Sequence, residues 1–330
     1  MMTIRPFEYT DADYEAFAAM ERAIWPGYPD TVEEWRHRDG TRDTGVLFCR
    51  YLVEVDGTVV GSGLCCDTWW SKMPGKYYVS CDVHPEFRHQ GIGTALYDQL
   101  TDLLAEHEAM TLVARTREDQ AGGLRFLSKR GFKQVMRSPI SLLDVVGFDA
   151  GRFADTVLQV AERGIEIVPL ARVAAADPEW KHKLWALTCE LYLDVPSRDP
   201  LTRQTFESFE ERSLGAPGFN AEAHFVALDG DQWVGTSSLW MPQGEPDKLY
   251  TGLTGVVRSH RRQGIATAIK VRGIAFARQV GAKIIHTDNE ENNPMYGLNL
   301  RLGFEPQPAW LDFQKELDRT MPGGGVGSGR

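Results

Sequence analysis

Residues 88–94 read Arg88-His89-Gln90-Gly91-Ile92-Gly93-Thr94, and residues 261–267 read Arg261-Arg262-Gln263-Gly264-Ile265-Ala266-Thr267. The second stretch repeats the first 173 positions later. Each runs into an apolar pattern of helical spacing, and each is followed by a Gly-Phe close, Gly131-Phe132 and Gly303-Phe304. A glycine turn that opens a helix presents unpaired backbone N–H groups and the positive end of the helix dipole to an anion. Two such turns predict two homologous domains and a phosphate-bearing ligand.

The bulk numbers agree with two domains. The chain has 330 residues, and a repeat of 173 leaves each copy long enough to bury its own core. Lys and Arg number 36 against 46 Asp and Glu, giving a net charge of −10 and a pI near 5.4. That balance disfavours nucleic acid, whose binding runs on basic surface, and is compatible with a cationic substrate. The five cysteines (Cys49, Cys65, Cys66, Cys81 and Cys189) have no zinc-site spacing and read as reduced thiols of a cytoplasmic protein. No apolar leader and no membrane-length apolar run appears. No metal site is expected.

Patterning orders the first copy as follows. A strand over 3–7 is followed by a helix capped by Asp11 and running to about Ile24, and by a second helix capped by Thr31, with Glu34 completing a capping box. Strands over 46–55 and 58–69 flank an Asp56-Gly57 hairpin turn. A strand over 76–83 precedes the glycine turn, a helix over 94–107 follows it, and Leu96, Leu100, Leu103 and Leu104 form its apolar stripe. A strand over 110–115, a helix over 119–130 closed by Gly131, and a strand over 133–143 complete the copy. Residues 149–163 form a helical joint. The second copy repeats the order with a strand over 166–170, a helix over 202–209, strands over 223–228 and 232–240, and a strand over 249–257. A helix over 267–280, a strand over 283–287 and a helix over 294–302 follow.

Two other readings of the turn fit the residues less well. A dinucleotide fingerprint needs a third glycine, where Leu96 and Ile269 stand instead, and an acid downstream. Asp288 lies 22 residues after Ala266, but Thr116 holds the matching place in copy one. An ordinary helix start with incidental glycines does not account for the duplication or for the shared Arg88 and Arg261.

With these residues in view, both halves resemble the GNAT acyl-CoA N-acetyltransferase superfamily. The turns fit its R/Q-x-x-G-x-G/A signature, the Gly-Phe pairs fit, and so does the order of elements, from about residue 3 to residue 318. The resemblance implies an α/β fold (α+β in some schemes) of two tandem domains, each a mixed, mostly antiparallel sheet flanked by helices. The expected division is 1–146 and 165–320, a linker helix over 147–164, and a flexible Gly-rich tail over 321–330. It implies acetyl-CoA as the cofactor. Its pyrophosphate would lie on Arg88, Gln90, Gly91, Ile92, Gly93 and Thr94, or on Arg261, Gln263, Gly264, Ile265, Ala266 and Thr267. Val83 and Val256 would end a splayed strand whose free backbone groups hold the pantetheine arm and polarise the thioester carbonyl. Thr94 and Thr267 stand where a hydroxyl can cap the helix or meet a phosphate oxygen.

The implied reaction is acetyl transfer to an amine by direct attack on the thioester, in a monomer or homodimer, with a small-molecule acceptor and no membrane partner. The second half looks better equipped: Asn293 stands where the family often places a cofactor-touching Asn, and it equally reads as a helix N-cap before Pro294. The family's usual acid, a Tyr four residues before the closing Gly, is replaced by Leu127 and by Asn299. Tyr296 could stand in for it or simply pack. Asp82 and His286 are the candidate bases. An acyl-CoA-binding protein without catalysis, and a transferase of another acyl or aminoacyl group, are the alternatives.

Overall fold

The computed structural model describes residues 1–28, 30–68 and 70–317. The first copy runs β1 (Met2–Pro6), α1 (Asp11–Ile24), α2 (Val32–Gly40), β2 (Phe48–Val55), β3 (Thr58–Asp67), β4 (Lys76–Val83), α3 (Ile92–Glu106), β5 (Thr111–Arg117), α4 (Ala121–Lys129) and β6 (Lys133–Asp144). Helix α5 (Ala154–Glu162) follows. The second copy runs β7 (Ile165–Pro169), α6 (Leu170–Ala174), α7 (Trp180–Tyr192), α8 (Phe206–Phe209), β8 (His224–Asp229), β9 (Gln232–Trp240), β10 (Lys248–Val256), α9 (Ile265–Gln279), β11 (Ile284–Asp288), α10 (Pro294–Leu302) and β12 (Glu305–Glu316).

These elements divide into two compact units. Among the described residues, one comprises Met1–Glu8, Thr44–Val135 and residues 311–317; the other comprises Tyr9–Asp43 and Met136–Trp310. Packing is therefore cut differently from the sequence repeat. Helices α1 and α2 of copy one, and most of β6, belong to the second unit, while the end of β12 belongs to the first.

In the first unit the strand order is β1-β2-β3-β4-β5, with residues 311–316 beyond β5. Strands β1 to β4 pair antiparallel and β4 pairs β5 parallel. Leu96, Leu100 and Leu104 of α3 are wholly buried, each contributing roughly 1.5–3 kcal/mol of apolar burial. In the second unit the order is residues 305–310 of β12, then β6, β11, β10, β9, β8 and β7. Here β10 and β11 are parallel and β6–β11 and β7 through β10 antiparallel. Both sheets are thus mixed and mostly antiparallel, as the sequence implied. Helix α9 is buried along Ile265, Ala268, Ile269, Ile274 and Ala277. Its Arg278 fastens the start of the 145–153 segment by hydrogen bonds to the carbonyls of Val145, Val146 and Phe148 at 2.8, 3.2 and 2.6 Å.

Several expectations need correction. Helix α3 starts at Ile92, two residues before Thr94, because Gly91 in the left-handed region (φ +85°) is itself the N-cap; Gly264 (φ +84°) does the same for α9. The cap of α1 is Thr10, whose side chain accepts from the Asp13 N–H, and Asp11 is the first helical residue. The helix expected over 119–130 spans only Ala121–Lys129, and Asp119 instead pairs with Arg117 at 2.8 Å. The helix over 202–209 shrinks to Phe206–Phe209 followed by one wide turn over Glu210–Leu214. A 13-residue helix, α7, stands where sequence reading placed none, buried through Leu184, Leu187 and Leu191. The Thr31–Glu34 capping box forms as expected. The expected strand end at Trp69 and the tail over 321–330 lie outside the described residues. Among the described residues no disulfide joins any of the five cysteines, and burial pushes the Cys65 thiol up to about 12.

Candidate active site

The parallel strand pair opens into a V in each unit. β4 and β5 pair only at Lys76–Thr111, Tyr77–Leu112 and Tyr78–Val113, although β4 continues to Val83. β10 and β11 pair only at Lys248–Ile284, Leu249–Ile285 and Tyr250–His286, although β10 continues to Val256. Backbone N–H groups alternate in direction along a strand. His84 donates back to Val60 O and Val257 to Val234 O, both at 2.9 Å, so the N–H groups of Cys81 and Val83, and of Thr254 and Val256, face the gap. β10 also carries a bulge between Thr251 and Thr254 where it pairs β9, while β4 runs in unbroken register with β3. Gly252 lies inside that bulge, where a Cβ would collide with Ser238 Oγ and Trp240 Nε1.

The glycine turns leave the open ends of the V with matching backbones. Arg88 Nε donates to Val83 O at 3.1 Å and Arg261 Nε to Val256 O at 3.0 Å, tying each strand end to its turn. His89 and Arg262 take φ of +65° and +61°. The N–H groups of Gly91, Ile92 and Gly93, and of Gly264, Ile265 and Ala266, have no acceptor among the described residues, as the first turn of a helix dictates. Ile92 and Ile265 plug the core at 2 % and 1 % exposure, so each offers a ligand its backbone only.

The two turns differ in their surroundings. Around the first, Arg130 stacks over Phe126 at 3.5 Å and donates to Thr94 Oγ1 at 2.9 Å, and a Cβ on Gly91 would meet nothing within 4 Å. Around the second, Leu302 replaces Arg130, and Arg261 pairs with Asp194, which also binds Arg258 at 3.1 Å. These two guanidinium groups hold the Asp194 carboxyl down to about 2. A Cβ on Gly264 would stand 2.7 Å from the Thr156 methyl of α5. Neither Thr94 nor Thr267 caps its helix.

The last rung of the second V carries a polar aromatic cluster on the sheet face away from α9. Tyr250 and His286 stand side by side with ring centroids 4.7 Å apart. The Tyr28 hydroxyl lies 3.3 Å from His286 Nε2, and Trp310 stands 5.8 Å from the Tyr28 ring. Tyr250 donates to Glu245 Oε2 at 2.6 Å, and Lys248 Nζ donates to Gly27 O at 2.8 Å. Burial first, and the Glu245 carboxylate second, push the Tyr250 phenol up, so it stays protonated. On the corresponding face of the first unit, Asp82 accepts from Ser80 Oγ, and Arg115 lies 3.4 Å from Asp312.

Of the remaining sequence candidates, Asn293 is the N-cap of α10, its Oδ1 accepting from the Met295 N–H at 2.9 Å. Tyr296 is half-buried on the same helix. Asn299, in the place of the family's Tyr, is 1 % exposed and donates to Asn289 Oδ1 at 2.6 Å. Sequence reading missed Tyr28, Tyr250, Arg130 and Lys270. Lys270 alone left a trace there, a charge within the buried run Ala268-Ile269-Lys270-Val271. Among the described residues no group of His, Cys, Asp or Glu could hold a metal ion, and no helix is long and apolar enough to cross a membrane.

Known proteins accord with this geometry. A tandem GNAT protein of the clavulanic acid biosynthesis pathway, solved without acetyl-CoA, has a TM-score of 0.73 at 19 % identity, over 96 % of this chain and 98 % of that one. A GCN5-related N-acetyltransferase from Sphaerobacter thermophilus has 0.67 at 22 %, over 96 % and 95 %. A search of curated proteins found no match. The sequence pattern of the acetyltransferase (GNAT) family matches twice, at residues 11–132 and 185–304. With two matches over most of its length, and a splayed strand pair and a glycine turn in each copy, the chain belongs to the acetyltransferase (GNAT) family.

Proposed function

We propose that the protein transfers the acetyl group of acetyl-CoA to an amine of a small molecule, and that the second unit carries the reaction. The observation that carries this reading is the coincidence of three features in that unit: the V of β10 and β11, the bulge at Gly252, and the Tyr28–His286 pair on its last rung. The pyrophosphate would rest on the N–H groups of Gly264, Ile265 and Ala266, beside Arg261, Gln263 and Thr267. Asn293 would contact the pantetheine arm from the start of α10. The free N–H groups of Thr254 and Val256 suit a thioester carbonyl and the charge it gains on attack.

The acceptor must lose a proton to attack. His286 is the base in this reading, with Tyr28 passing the proton onward. Tyr296 is the proton donor that sequence alone would choose. The first unit keeps the open turn, Val83, Arg88, Gln90 and Gly93, and adds Arg130, so it is proposed to hold a second acetyl-CoA. The test is release of free thiol from acetyl-CoA across a panel of small amines. Release that depends on the amine supports the reading. Binding without turnover over a broad panel, or no binding, refutes it.

A further inference from the structure

Lys270 is the one lysine of α9, and it points into the protein. It is 6 % exposed. Among the described residues its Nζ has neither a carboxylate nor a hydrogen-bond acceptor within bonding distance, and it lies 5.4 Å from the centroid of the Phe304 ring. An ammonium group is not buried in this way without penalty. With no charge beside it, burial alone pulls Lys270 down to about 7.

Its position gives that oddity a use. Lys270 lines a cavity of about 10 Å³ with Ser237 and Leu239 of β9, Thr251 of β10, Gly273 and Ile274 of α9, Ile285 of β11, and Phe304. That is room for about one water. Thr251 is the first residue of β10 past the last rung, so the cavity lies under the point where the V opens. The Thr251 hydroxyl, also buried, finds no partner there. Tyr250 and His286 occupy the other face of the same rung, so the gap has one face bearing a base and one face bearing an amine. The residues lining the Lys270 side carry no carboxylate and no other titratable group.

We propose that Lys270 is the proton donor to the thiolate that leaves when acetyl-CoA is cleaved in the second unit. This rests on the acetyl-CoA reading above and adds the residue that replaces the missing Tyr. The acceptor nitrogen bonds to the acetyl carbon and gives its proton to the His286 side. The carbon–sulfur bond breaks, and its electron pair goes to sulfur. Lys270 gives that sulfur a proton, and solvent later returns one to the neutral amine. The products are the N-acetyl compound and free coenzyme A, with no other reactant.

The experiment compares wild type with Lys270→Met, Lys270→Gln and Tyr296→Phe. It follows kcat by thiol release between pH 5.5 and pH 9, and acetyl-CoA affinity by calorimetry. A donor must be protonated, so wild-type kcat is expected to fall as pH rises through about 7. Both Lys270 variants should lose that falling limb and about 10²-fold in kcat, with acetyl-CoA affinity unchanged within about threefold, while Tyr296→Phe keeps the limb. If the Lys270 variants keep the limb, or if Tyr296→Phe removes it, Lys270 is not the donor. A purely packing role would move affinity and kcat equally at every pH. A wild type that binds no acetyl-CoA would instead remove the functional reading itself, and this assignment with it.

Discussion

Replacing Lys270 by Met should make the protein more stable, by an amount that depends on pH. Met keeps the length and apolar stem of the side chain and removes the buried charge. Burial lowers Lys270 from 10.5 to about 7, which corresponds to about 5 kcal/mol between the two protonation states. The unfolded chain holds this proton below pH 10.5, and the folded chain holds it only below about 7. The buried amine therefore destabilises the wild type by its full amount below pH 7. The deficit shrinks as pH rises through that window and vanishes near 10.5. Losing the ammonium contact with Phe304 offsets about 1 kcal/mol of the gain. The net gain should be about 4 kcal/mol at pH 6, where the ammonium is present, about 3 kcal/mol at pH 8.5, where the folded amine is already neutral and the ring contact no longer offsets anything, and under about 0.5 kcal/mol near pH 10.5. Urea unfolding at these pH values, followed by tryptophan emission, measures it. A Met variant that is no more stable than wild type at pH 6, or whose gain is the same at every pH, would show that Lys270 is not a desolvated, unpaired amine.

Four further outcomes follow from the site and its frame. His286→Gln and Tyr28→Phe should each lower kcat, His286→Gln by about 10²-fold or more, with acetyl-CoA affinity unchanged; equal losses in affinity would make them structural. Gly91→Trp points its side chain into open space, so it should cost about 1–2 kcal/mol for the left-handed backbone and remove one of two acetyl-CoA sites in a calorimetric titration. Arg130→Ala should weaken that same site alone. Thr31→Ala breaks the capping box of α2 and should cost about 1 kcal/mol in unfolding free energy, with no effect on thiol release.

Local chemistry was legible in the sequence where the backbone demands particular residues. A left-handed turn before a helix needs Gly91 and Gly264, a tight hairpin needs Asp56-Gly57, and a capping box needs Thr31 with Glu34, so each left a mark. The Tyr28–His286 pair left none, since its members lie 258 residues apart and meet only through packing. Helix α7 leaves a weak periodic signal because its apolar residues Leu184, Leu187 and Leu191 are interrupted by Trp, Lys and His on its other faces. Lys270 left an ambiguous mark: a charge within the apolar run Ala268-Ile269-Lys270-Val271 reads as a solvated lysine, and only the packed structure places it beneath the sheet. The strand character of residues 305–316 says nothing about neighbours, because pairing partners are set by long-range contacts that no window of sequence contains.

The exchange of segments between the two copies has a consequence for how the chain comes off the ribosome. The first unit takes its final strand from residues 311–316, so when β5 emerges it has no neighbour on one side. At about 5–20 residues per second, the missing strand arrives about 10–40 s later. During that interval the margin of β5 is an open template for pairing with other chains. A protein assembled this way cannot be divided at its repeat boundary into two self-sufficient halves.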